Sequence, residues 1–81
     1  MSQHVVQSPL PGVFYTRPAP DKPPYVEIGS VVTADTTVGL VEVMKQFAEV
    51  KAGVDGTVTE IHAENEGVIG PGDGILTIET S

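Results

Sequence analysis

The 81 residues carry eleven Asp and Glu against four Lys and Arg, a formal net charge of −7, and a field of that sign repels nucleic acid and anionic membrane alike. A chain this short removes only about 60–70% of its unfolded surface from water, so residues 1–81 are read as one domain around one modest core. There is no cysteine, which excludes a disulfide framework and a thiolate metal site, and MSQHVVQS has neither the basic nor the long apolar part of a signal peptide, so a cytoplasmic protein is expected.

The apolar residues are mostly Val, Ile and Leu in short runs, punctuated by nine Gly and seven Pro; that pattern belongs to an all-β chain with tight turns. Period-2 runs bounded by turn residues predict strands near His4–Ser8, Gly12–Tyr15, Tyr25–Ile28, Thr37–Val43, Gln46–Lys51, Gly56–Ala63 and Gly74–Glu79. Val38–Glu42 also fits a buried helical turn, but Gly39 and its β-branched neighbours favour a strand. After the second strand comes Arg17–Pro24, RPAPDKPP, where Pro18, Pro20, Pro23 and Pro24 make a semi-rigid excursion unable to join a ladder.

Gly29–Glu42 lies over Glu66–Glu79 at an offset of 37 positions, matching Val32 to Ile69, Val38 to Ile75, Val41 to Ile78 and Glu42 to Glu79. The matched positions keep the alternation in phase, which indicates a duplication. Neither half buries its apolar face alone, so the expected arrangement is two copies packed face to face about a pseudo-twofold axis, a flattened barrel or sandwich. The Pro-rich segment is then an insertion in the first copy, because Gly12 to Gly29 is longer than Gly56 to Glu66.

Val41–Val50, VEVMKQFAEV, reads as a hairpin with Met44-Lys45 at its tip. Two-residue hairpin turns favour Asn-Gly or Asp-Gly because both central positions need positive φ. Met-Lys meets no such preference, and a tip of that geometry costs roughly 1–3 kcal/mol per non-glycine residue, the kind of strain that marks a functional turn. An exposed lysine is ordinarily a solubilising charge. Lys45, however, is one of three lysines, it sits at the junction of the two copies, and its counterpart in the repeat falls at the chain ends.

Glu42-Val43-Met44-Lys45 repeats the Glu-Ala/Val-Met-Lys motif around the biotinyl lysine, and Ser8-Pro9-Leu10-Pro11-Gly12-Val13-Phe14-Tyr15 is similar to Ser-Pro-Met-x-Gly-x-Phe-Tyr. On these blocks the chain resembles, from about Val5 to Glu79, the biotin carboxyl carrier family of the acetyl-CoA carboxylase type. Gln46 stands where that family usually has an apolar residue. The resemblance implies a biotinyl/lipoyl barrel-sandwich of two four-stranded antiparallel sheets, with residues 17–24 as a protruding thumb leaning toward the cofactor. It implies covalent biotin on Lys45, with Met44, Val43 and Glu42 completing the attachment motif. Expected partners are a biotin protein ligase, a biotin carboxylase and a carboxyltransferase acting on an acyl-CoA, most simply acetyl-CoA for fatty acid biosynthesis. The chain itself is then a non-catalytic carrier.

Two rivals stand beside that reading. A lipoyl carrier shares the architecture but usually has Asp before the lysine, where this chain has Met44. An unmodified β binding module would use the proline loop as its contact surface. Elsewhere His62 and Glu64 make a sparse metal pair. Glu42, Glu49, Glu60, Glu64 and Glu66 are too dispersed for paired-carboxylate chemistry. Asp55-Gly56 and Pro71-Gly72-Asp73-Gly74 read as turns, with no phosphate-loop lysine.

Overall fold

Runs of Val, Ile and Thr broken by Gly, Pro and Asp favour short pleated segments over helices. The computed structural model, which describes residues 2–80, consists of eight of them: β1 (Ser2–Gln7), β2 (Gly12–Tyr15), β3 (Val31–Val32), β4 (Thr37–Val43), β5 (Gln46–Lys51), β6 (Gly56–Ile61), β7 (Gly67–Ile69) and β8 (Gly74–Thr80). They form two four-stranded antiparallel sheets, ordered β1-β8-β6-β3 and β5-β4-β2-β7. The second order is the first with β5 for β1, β4 for β8, β2 for β6 and β7 for β3, which is the duplication made visible.

The duplication extends to single residues. Val13 pairs with Glu42 and Phe14 with Val41 across β2 and β4, as Thr57 pairs with Glu79 and Val58 with Ile78 across β6 and β8. Gly12 and Gly56 open the equivalent strands at equivalent close approaches. A Cβ on Gly12 would collide with the Glu42 carbonyl, and one on Gly56 with the Glu79 carbonyl, so only glycine lets each ladder close.

Between the sheets Phe14, Val38, Val41 and Val50 meet Val6, Val32, Val58, Ile75, Leu76 and Ile78, all buried. Because successive side chains on a strand point to opposite faces, burying Phe14 and Val41 places Tyr15, Leu40, Glu42 and Phe47 together on the outer face of the second sheet.

Two strand expectations need correction. Tyr25–Ile28 forms no strand. Pro23-Pro24 leads into it without backbone donors, Tyr25 N–H donates to the Thr16 carbonyl at 2.9 Å, and Glu27 N–H donates to the Ser30 hydroxyl at 2.9 Å, which turns the chain. Val26 still reaches the core from this loop. β3 and β7, two and three residues long, are strands beyond those expected, and they carry the Val32 and Ile69 that the repeat aligns.

Candidate functional site

Among the described residues each connection between successive strands crosses the gap between sheets, except the tight hairpin that links β4 to β5. Among the described residues these are the only consecutive strands that pair, from Val43 opposite Gln46 back to Thr37 opposite Lys51. The tip therefore contains Met44 and Lys45 alone. Their φ values are 51° and 67°, the left-handed backbone that a type I′ turn requires at both central positions and that glycine or asparagine would adopt more cheaply. Met44 is 92% exposed and Lys45 is exposed beside it, while Val43 tucks against the core.

The four residues of the motif thus have different settings. Lys45 and Met44 form the projecting tip and Val43 anchors the β4 leg. Glu42, half-buried on the outer face, accepts a hydrogen bond from the Tyr15 hydroxyl at 2.9 Å. That bond, with partial desolvation and the charges of Glu42 and Glu66, holds the Tyr15 phenol above its ordinary pKa. The Tyr15 ring also meets Phe47, with centroids 6.0 Å apart and planes inclined by 56°, a tilted geometry that aromatic pairs favour.

Two shallow grooves share Phe47, one beside the tip and one beneath the thumb. One, of about 450 Å³, is lined by Leu10, Val43, Met44, Gln46, Phe47 and Ala48. Gln46 therefore lies at the rim of an apolar groove, where its departure from the family motif alters the surface and leaves the ladder intact. The other, of about 350 Å³, runs beneath the thumb and is lined in part by Tyr15, Arg17, Pro18, Leu40, Phe47 and Glu66. The base of the thumb is fixed: Tyr25 N–H donates to Thr16 O at 2.9 Å, and Asn65 Oδ1 accepts from the Thr16 N–H at 2.9 Å and its hydroxyl at 3.2 Å. Lys22 N–H donates to the Ala19 carbonyl at 3.0 Å, folding the thumb tip.

The Tyr15, Glu42 and Phe47 cluster was not identified from sequence; the exposed aromatic two residues beyond Lys45 was the available signal. Nor was the positive φ of Glu66, 64°, at the position where the other copy has Gly29 at 97°. His62 lies just past the end of β6, bonded through Nε2 to the buried Thr77 hydroxyl at 2.7 Å, a contact that ties a loop to β8. No group of three or more metal-ligating side chains occurs among the described residues. Asp73 closes a turn, accepting from Gly70 N–H at 2.7 Å, whereas Asp55 accepts from Ala34 N–H at 2.8 Å and ties two separate loops together, with Gly56 already in β6.

A lysine on a strained, projecting hairpin of a duplicated sandwich defines a class of cofactor-attachment domains, and comparison with known proteins specifies it. The profile of the biotin/lipoyl family, described as biotin-requiring enzyme, matches residues 4–78, and the chain belongs to that family. It is 45% identical over 75 residues to the biotin carboxyl carrier protein of acetyl-CoA carboxylase from Streptococcus pyogenes, covering 93% of this chain and 45% of that protein. The protein of the same name from Chlamydia pneumoniae is 50% identical over 60 residues, covering 74% of this chain and 36% of the relative. The chain thus spans less than half the length of these relatives. Among solved structures, urea carboxylase from Kluyveromyces lactis superposes with a TM-score of 0.80 at 25% identity, over 98% of this chain and 6% of that one.

Proposed function

We propose that this chain is a biotin carboxyl carrier, and that Lys45 takes biotin in amide linkage for an acetyl-CoA carboxylase. The observation that carries this reading is the Met44-Lys45 tip: two non-glycine residues held at positive φ, where ordinary turn chemistry would place Asn-Gly. A fold under no functional constraint gains nothing from that strain.

The residues present suit the cofactor. The Lys45 amine stands clear of the protein body, and the apolar groove beside Met44 and Phe47 matches an aliphatic arm in character. When bound, biotin supplies a ureido nitrogen that takes up and releases CO2. The protein contributes attachment, presentation and reach. Val43 fixes the hairpin leg to the core, the I′ turn projects the lysine, and tethering raises the effective concentration of the arm at each site visited. Acylation of the amine removes one positive charge from a chain already at −7, leaving a neutral tip that is cheaper to bring into a desolvated pocket.

The partners proposed are a biotin protein ligase that acylates Lys45, a biotin carboxylase, and a carboxyltransferase acting on acetyl-CoA. The chain itself supplies no acid, base or nucleophile to the chemistry. Intact-mass measurement after incubation with ligase, biotin and ATP tests the assignment. One biotin is expected, lost in Lys45→Arg. A lipoyl adduct from the native host, an unmodified chain, or biotin retained by Lys45→Arg would each overturn it.

A further inference from the structure

The two copies of the repeat provide an internal control for what the hairpin needs beyond the fold. Val43 opposite Gln46, the last pair before the turn, corresponds to Thr80 opposite Ser2 in the other copy. Glu42 opposite Phe47 corresponds to Glu79 opposite Gln3. At an offset of 44 Tyr15 falls on Thr59, which a bulge in β6 leaves without a ladder partner, so that Glu60 faces Thr77 where Tyr15 faces Leu40. Both sheets thus have the carboxylate, but only the sheet with the turn has the phenol and the second aromatic ring. In the other, Thr59 directs its hydroxyl to the Thr77 carbonyl at 3.4 Å.

The placement of Tyr15 has a mechanical consequence. Glu42 lies on the β4 leg of the hairpin and Phe47 on the β5 leg, directly opposite each other, two residues before the tip and two after it. Tyr15, from neighbouring β2, bonds the first through its hydroxyl and packs on the second through its ring. One side chain therefore grips both legs at the last outward-facing pair before a strained turn, and such strain persists only where its surroundings over-determine it.

From this arrangement we infer that Tyr15 is a positioning residue that latches both legs of the β4–β5 hairpin and so holds Met44 and Lys45 in the presented conformation. Its value to the modifying enzyme rests on Lys45 being the acceptor; the latch itself does not. Because Tyr15 is followed at once by Thr16 and the thumb, the latch also ties thumb and tip into one unit.

Amide hydrogen exchange on the full chain tests the latch. Tyr15→Phe keeps the ring and deletes the hydroxyl, and exchange at residues 43–47 should accelerate about three- to tenfold, the net scale of one intramolecular hydrogen bond, with β6 and β8 unchanged. Tyr15→Thr, which installs the residue of the other copy, should accelerate it further. Glu42→Gln, whose amide oxygen still accepts the phenol proton, should stay within about twofold of the parent. With biotin protein ligase, Tyr15→Phe should raise KM for the chain and leave kcat within about twofold. Unchanged exchange at residues 43–47, or equal acceleration throughout the chain, would overturn the latch. A parent chain that accepts no biotin would instead remove the proposed function, while the exchange measurement still decides the role of Tyr15.

Discussion

The ladder that ends in Val43 and Gln46 and the ladder that ends in Thr80 and Ser2 are the same structure used twice. At the opposite pole the last pairs of β1 and β8 are polar: the Ser2 and Thr80 hydroxyls meet at 2.6 Å, and the outward residues Gln3 and Glu79 are polar. At the hairpin pole the backbone is forced into left-handed geometry, Met44 is left bare to solvent, and Tyr15, Leu40 and Phe47 cover the outer face. Both poles thus share the paired strands, and the strained turn stands at one of them.

The largest expected effect tests the part that the copies share. Ile78, fully buried, is the counterpart of Val41, and Ile78→Ala should lower stability by about 2–5 kcal/mol in one cooperative transition by chemical denaturation. Separate unfolding of the two sheets would break the view that neither sheet stands alone. Next come the paired glycines. Gly12→Ala and Gly56→Ala each push a methyl group into the facing carbonyl of Glu42 or Glu79, and each should cost about 1–3 kcal/mol. Equal losses are expected; a tolerated substitution on one side only would show that the close approach is not a shared requirement.

The turn itself should respond in the opposite direction. Replacing Met44 by Asn together with Lys45 by Gly supplies residues that accept positive φ, and the double variant should be more stable by about 1–2 kcal/mol, the relieved strain less the entropic cost of glycine. It should also accept no biotin. A double variant less stable than the parent would mean that Met44 and Lys45 are not strained at the tip, which removes the main reason for reading the two poles differently.

Much of this was legible from the residues because alternation and repetition are local or additive signals. β2, β4 and β5 have the bounds expected from sequence, and the mismatch between Met-Lys and hairpin turn preferences pointed to the strained tip. Tyr25–Ile28 was misread because its Tyr-Val-Glu-Ile alternation imitates a strand, whereas the Glu27–Ser30 bond that bends it is a side-chain interaction invisible to periodicity. β7 was too short to alternate. The Tyr15–Glu42 bond joins residues 27 apart in sequence, and only the β2–β4 register places them on one face. Register is fixed by the packed core, so that contact follows from the fold and not from any local pattern.

The smallest expected effects are two titrations, both on the sheet that carries the hairpin. Glu49 accepts from the Thr37 hydroxyl at 2.6 Å and from Lys51 at 3.3 Å, and these bonds with the lysine charge hold its carboxyl below the usual value. A depressed carboxylate contributes stability above its unfolded pKa and loses it as pH falls through the folded one, so Thr37→Val should move the Glu49 titration upward. Tyr15 behaves in the opposite sense. Its phenol donates only while protonated, and its pKa is raised, so the contribution is complete below the ordinary tyrosine value and is lost as pH rises through the raised one. The groups around it are Glu42 and Glu66, which favour the neutral phenol, and Arg17, which lines the same groove. Glu42→Gln should therefore lower the Tyr15 titration toward its ordinary position, followed by phenolate absorbance or ring NMR shifts, even though the hydrogen bond survives. If Tyr15 titrates identically in the parent and in Glu42→Gln, the carboxylate is not what the phenol grips, and the hairpin sheet loses the feature that sets it apart from its twin.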